Sequence, residues 1–142
     1  MLLAVDERKA LHEDFWQGDG PSLILIPAGD VPLYDTADYQ MRFHNPARMW
    51  EAEMARASAV IDWPTDGIAT VRPNLGTIFV PALAGQEYLV QDGQMPWSCA
   101  ALSRQSIRAA RGVSIAETDM MRRADTFYRI HAASGRTDVA AY

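Results

Sequence analysis

The apolar positions change period several times along the chain, and each change marks a predicted element. Leu3, Leu11 and Phe15 recur among charged residues at helical spacing, and Gly18 with the turn-rich GDGPS closes the segment, so a peripheral helix is expected from Leu3 to Gln17. SLILI (22–26) is a continuous apolar run ended by Pro27, the pattern of a strand buried on both faces, and it reads as the first strand of a parallel sheet. Residues 28–45 mix turn residues with Tyr34, Tyr39 and Phe43 without a clean period, which predicts loop with at most a short helix.

A well-signalled helix follows. Asn45 can accept from the first free amides, and Pro46 suits the first helical position, where a missing N–H costs nothing. From Pro46 to about Ile61, Trp50, Met54, Ala57 and Ile61 repeat every three or four residues and form one apolar face, better read as core than as a ligand box. GIATV (67–71) predicts a second strand and EYLV (87–90) a weaker third, while DGQMPW (92–97) reads as a turn followed by loop. Ser103 caps a short helix that Gly112 can end. SIAE (114–117) has capping-box spacing and opens a helix to about Ala133, with Met120, Ala124, Phe127 and His131 on one face and Gly135 as the stop. DVAAY (138–142) begins like a strand.

Helices alternating with strands argue an α/β class with a parallel sheet. Because the last residues resemble the start of a buried strand, the chain reads as part of a longer protein. Its 142 residues and 49% hydrophobic content suit one domain with a buried core. The net charge of −5 is made of scattered acids and bases, with no basic block of the kind that binds nucleic acid. Twelve Arg against the single Lys9 are a compositional bias, so only individual Arg positions carry a functional argument. The single Cys99 offers no disulfide partner or metal pair, MLLAV is too short for a signal peptide, and no run of about 18 apolar residues occurs. A cytoplasmic protein without membrane contact is expected.

Strand geometry picks out one candidate site. If GIATV is a strand, Arg72, Pro73 and Asn74 leave its carboxyl end, where parallel α/β sheets and barrels hold ligands. Arg72 offers a fork of donors to a carboxylate or phosphate. Asn74 could cap a helix starting at Leu75, leaving the amides of Leu75, Gly76 and Thr77 free to face a bound anion. Gly76 would let a ligand or another backbone approach closely, and Pro81 should kink or end that helix. The bland alternative has Arg72 paired with an acid and Asn74 as a cap only. Arg72, Asn74, Gly76 and Thr77 are therefore the substrate-binding candidates, with no catalytic residue assigned.

Other motifs are weaker. His12, His44 and His131 stand far apart with no metal-ligand spacing, and His131 fits a core-edge residue bonded through one nitrogen. GDG (18–20) lacks the rest of a dinucleotide or phosphate-loop motif. Ser98 and Cys99 have no base placed by sequence. Asp62 and Asp66 bracket DWPTD ahead of a strand, on the side opposite the chemistry in an α/β barrel, and read as a solvated loop.

Taken in order, LYDTADY, DWPTDGIATVRPNLGTIFVPALAG, DGQMPW and IRAARGVSIAETDMMRRADTFYRIHAASGRTDVAAY resemble the N-terminal part of the uroporphyrinogen decarboxylase superfamily over nearly the whole chain. The likeness is greatest to the decarboxylase-like branch, which shares its barrel with corrinoid-dependent methyltransferases such as the coenzyme M methyltransferases. The resemblance implies the N-terminal part of a (β/α)8 TIM-type barrel, with its pocket at the carboxyl ends of the strands. Uroporphyrinogen decarboxylases carry an Arg-Gln-Ala-Gly-Arg element after the first strand. Here that place reads PAGDVPLYD and has no Arg, which separates the chain from those members. The methyltransferase branch holds zinc through a His and cysteines of its C-terminal half, so zinc and a corrinoid protein belong to the longer protein that the resemblance implies. Members of the nearest branch continue past the position of Tyr142 into a Pro-Asp-Thr-Gln-Gly-like loop.

Two functions follow. The first is the N-terminal portion of a lyase or methyltransferase acting on a carboxylate-bearing or corrinoid-linked small molecule, inactive alone. The second is a small non-catalytic α/β module that binds a ligand or partner and forms a homo-oligomer.

Overall fold

The computed structural model describes residues 3–21, 23–24, 37–59, 61, 65–112 and 114–141. Helix α1 (Val5–Gln17) closes at Gly18, as the spacing predicts. It docks through polar side chains, since its one buried residue is Arg8. Arg8 Nη1 donates to the Gly67 carbonyl and His12 Nε2 to that of Asp66, each at 2.8 Å. Both carbonyls lie just ahead of the first strand, so α1 is fastened to the entry side of the sheet. Of the predicted SLILI strand, Leu23 and Ile24 are described and lie in no regular element, and Leu23 is exposed where a strand buried on both faces requires burial. The remainder of that run, with Asp62 and the PAGDVPLY segment, lies outside the described residues.

Helices α2 (Tyr39–His44) and α3 (Pro46–Ser58) meet at Asn45. The Asn45 side chain accepts from the amides of Ala47 and Arg48 at 3.1 and 3.2 Å, and Pro46 occupies the first position, as predicted. The helical face is also as read: Met54 and Ala57 are buried, and Trp50 and Ile61 pack against the core. The helix itself ends at Ser58, short of Ile61. Within α3 the buried Glu53 pairs with Arg56 at 2.9 Å, and Arg56 Nη2 reaches the Thr70 carbonyl at 3.3 Å. A buried carboxylate needs such a partner, and this one also ties α3 to the sheet.

Strand β1 (Thr70–Val71) pairs in parallel with a strand near the C-terminus, β4 (Ala140–Ala141), in the register Thr70 with Ala140 and Val71 with Ala141. A parallel pair needs a crossover, and the long connection through α6 (Asp119–Ser134) supplies it. GIATV and DVAAY thus form the two strands they predict, shortened to two residues each. EYLV does not join them: β2 (Tyr88–Leu89) pairs antiparallel with β3 (Trp97–Ser98) in a separate hairpin. The architecture is α/β in the coarse sense of helices combined with short strands.

Helix α6 packs against α3 and seals the core. Met120, Ala124, Phe127 and His131 are all buried, and Gly135 ends the helix in the left-handed conformation, both as predicted. Its start differs from the capping box read in SIAE. Ile115–Glu117 form a single 3-10 turn, and Thr118, not Ser114, caps α6 by accepting from the Met121 amide at 3.3 Å. Helix α5 (Arg104–Ala110) keeps its predicted Ser103 cap, which accepts from the Ser106 amide at 3.0 Å. Across the core, Trp50 Nε1 donates to His131 Nδ1 at 3.3 Å. Phe43 is fully buried between Tyr39 and Tyr88, with ring centroids 6.0 and 5.7 Å away. Among the described residues, no helix is long and apolar enough to cross a membrane.

Candidate functional site

Beyond the carboxyl end of β1 the chain turns through residues 72–78 before helix α4 (Phe79–Leu83) begins. This loop lines a cavity of about 500 Å³. Arg72, Asn74, Gly76 and Thr77 all line it, so the structure brings the four predicted residues together. Phe79 and Met95 add apolar wall that sequence reasoning missed. Met95 arrives from the connection between β2 and β3, and nothing local in the sequence links it to residues 72–77.

The loop's internal bonding differs from the helix-cap reading. Asn74 does not cap a helix at Leu75, because α4 starts four residues later with Ile78 at its N-cap. Instead Asn74 Oδ1 accepts from the Gly76 amide at 3.3 Å, closing a turn of the kind Asn side chains favour. The Leu75 amide is taken by the Pro73 carbonyl at 3.1 Å. The amides of Leu75 and Gly76 are therefore committed to the loop and do not converge on an anion. What Asn74 keeps for a ligand is its side-chain NH2 group.

Gly76 is required for two reasons. Its φ is +70°, and a Cβ placed there would lie 2.6 Å from Pro96 Cγ. The close approach it permits is made by the hairpin's own proline, not by a ligand. Pro81 neither kinks nor stops α4, since it sits in the first turn, where its missing N–H has no helical partner to lose. Beyond Leu83 the chain turns off the helix at Gly85, whose amide bonds to the Ala82 carbonyl while the Gln86 amide bonds to that of Pro81, at 3.0 and 3.1 Å, with Gly85 at φ +81°.

The loop is held from below. Buried Tyr39 donates its hydroxyl to the Asn74 carbonyl at 2.8 Å. Burial raises the phenol's pKa; nearby Arg42 opposes the shift and Glu53 adds to it, so the group stays a neutral donor. At the first turn of α2, Asp92 of the hairpin accepts from the Gln40 amide at 2.8 Å. Helix α2 and the hairpin thus grip each other and the loop between them.

Arg72 and Thr77 are both exposed residues at the cavity rim. None of the described lining residues is a carboxylate, His, Cys or Lys, so the described wall can bind and orient a ligand but does not exchange protons with it. Asp66, half-buried, lies ahead of β1 on the other side of the sheet. Ser98 and the exposed Cys99 have no base bonded to their side chains among the described residues. The histidines stay apart: His12 serves α1, His131 accepts from Trp50, and His44 Nδ1 accepts from Arg123 at 3.1 Å. Among the described residues no three His, Cys, Asp or Glu converge to hold a metal ion.

Comparison with protein-family models, with curated proteins and with solved structures finds no match to this chain.

Proposed function

We propose that the cavity beyond β1 is the carboxylate-binding wall of a small-molecule pocket, and that the chain is the N-terminal portion of a (β/α)8 barrel enzyme of the uroporphyrinogen decarboxylase superfamily. The observation that carries this reading is the position of Arg72, Asn74 and Thr77 around one cavity, past the carboxyl end of a strand in a parallel pair. Open parallel sheets and barrels bind ligands at that edge. The Arg72 guanidinium suits a carboxylate in a two-pronged contact, the Asn74 NH2 and Thr77 hydroxyl add donors, and Phe79 and Met95 accept an apolar body.

The chain's share of a lyase or methyl transfer reaction is to bind and orient the substrate. The reacting groups, and any zinc or corrinoid protein, come from the remainder of the barrel. The two parallel strands among the described residues cannot by themselves close a barrel, and an open pair leaves edges that another strand must cover.

Sequencing the genomic DNA past the codon for Tyr142 tests the barrel reading. An open frame that continues with further strand–helix units supports it. A stop codon directly after Tyr142 contradicts it and leaves a small binding module.

A further inference from the structure

A second concavity, of about 280 Å³, lies between α4 and the α5 segment and shares no lining residue with the candidate site. Val80, Leu83, Ala84, Ile107, Ala110 and Ile115 form its apolar wall. Val80, Ile107 and Ile115 are 69%, 49% and 54% exposed, so three large apolar side chains meet solvent around one groove. Arg104, Arg108 and Arg111 follow at i, i+4 and i+7 and share one side of α5, and Arg111 also lines the groove. None of the three takes part in the ion pairs among the described residues. The groove therefore calls for an apolar group surrounded by negative charge.

The chain carries such a group. Trp16, at the end of α1, is 77% exposed, more than any other large apolar residue described. It is held edge-on against Phe15, with ring centroids 5.1 Å apart. Glu13, Asp14 and Asp19 surround it in sequence, are exposed, and are likewise absent from the ion pairs among the described residues. Three carboxylates next to an exposed indole in sequence match Arg111 in the groove wall and Arg104 and Arg108 beside it on α5. The two surfaces also lie on elements attached to opposite ends of β1: α1 is fastened at Asp66 and Gly67, and α4 follows the strand's carboxyl end.

We propose that the Trp16 end of α1 from a second copy of this chain docks in the α4–α5 groove. Trp and Arg are the residue types that dominate binding at interface centres, and the opposed charges fix the register. Because patch and groove are different surfaces, the contact is head-to-tail, and each copy in a pair retains one unused patch or one unused groove for ring or chain growth.

Sedimentation velocity on the 142-residue chain tests this. The wild type is expected to self-associate as concentration rises, and less so at high salt. Trp16→Ala, which spoils the patch, and Arg108→Glu, which spoils the groove, should each weaken association about 30-fold or more. Both side chains are exposed, and circular dichroism checks that each variant remains folded. The decisive sample is the mixture: Trp16→Ala supplies an intact groove and Arg108→Glu an intact patch, so the two should form a one-to-one dimer that neither forms alone. A wild type that stays monomeric overturns the proposal. So does association that survives Trp16→Ala, or a mixture that stays monomeric, either of which gives the groove to another occupant.

Discussion

The Tyr39 hydroxyl donates to the Asn74 carbonyl at 2.8 Å, joining the first turn of α2 to the cavity rim across 35 residues of sequence. Tyr39 itself is 1% exposed, so the donor side of this bond is shielded from water. The shape of the loop between β1 and α4 therefore depends on a buried phenol that touches no ligand. Tyr39→Phe keeps the ring packing and removes the hydroxyl, leaving the Asn74 carbonyl without this donor. A loss of about 1–3 kcal/mol in unfolding free energy is expected, measured by urea denaturation. Unchanged stability would show that this bond does not hold the loop.

Gly76 tests the same corner from above. Gly76→Ala places a methyl group 2.6 Å from Pro96 Cγ and holds an L-residue at φ +70°. The two effects should sum to about 2–4 kcal/mol of destabilisation. Gly76→Ala with Pro96→Ala should recover the steric part and leave the backbone part. A double variant no more stable than the single one would contradict the contact.

The start of α6 is a third test. Thr118 Oγ1 accepts from the Met121 amide, so Thr118→Ala should lower stability by about 1 kcal/mol. Ser114→Ala should change it little, because the Ser114 side chain makes no cap bond. Thermal melts of the two variants distinguish the caps, and the reverse order of effects would restore the capping box at Ser114.

These corners also show how far the sequence could be read. Helix α3 was legible because Asn45, Pro46 and the apolar period agree locally, and the buried face of α6 because Met120, Ala124, Phe127 and His131 keep one period. The α6 cap was misplaced because Ser114 and Thr118 are chemically equivalent caps four residues apart, and the intervening 3-10 turn leaves no mark in the pattern. Asn74 was misread for a related reason: its oxygen accepts an amide both in a helix cap and in a side-chain turn, and only the later start of α4 separates them. Of the hairpin, the strand in EYLV and the turn at Asp92-Gly93 were read, whereas Trp97, read as loop, lies in β3 and pairs with Leu89. The hairpin's consequences were not legible, because the contacts of Pro96 with Gly76 and the arrival of Met95 at the cavity are set by tertiary packing. The four candidate residues came together because the carboxyl end of a strand is a position that sequence does define.

Acid should weaken the contact between α2 and α6. Burial lowers the pKa of His44 below the ordinary histidine value of 6.5; Arg123 lowers it further, and Asp119 partly opposes. The Nδ1 atom accepts from Arg123, so a proton there would set one donor against another. The folded state thus releases the His44 proton at lower pH than the unfolded chain does. Between the lowered value and about pH 6.5 the unfolded chain binds more protons, so stability climbs with pH across that window and is complete above it. Melting temperature should fall as pH drops from about 7 to about 5, and fall less in His44→Gln. Equal slopes in the two proteins would remove His44 as the cause.

The carboxylate site is tested most directly by titrating the 15N-labelled chain with succinate and following backbone amides. Saturable shifts are expected at residues 72–77, weakened about tenfold or more in Arg72→Ala, because the guanidinium makes the charged contact. Absence of saturable shifts at those residues, or an affinity that Arg72→Ala leaves unchanged, would contradict carboxylate binding at the end of β1.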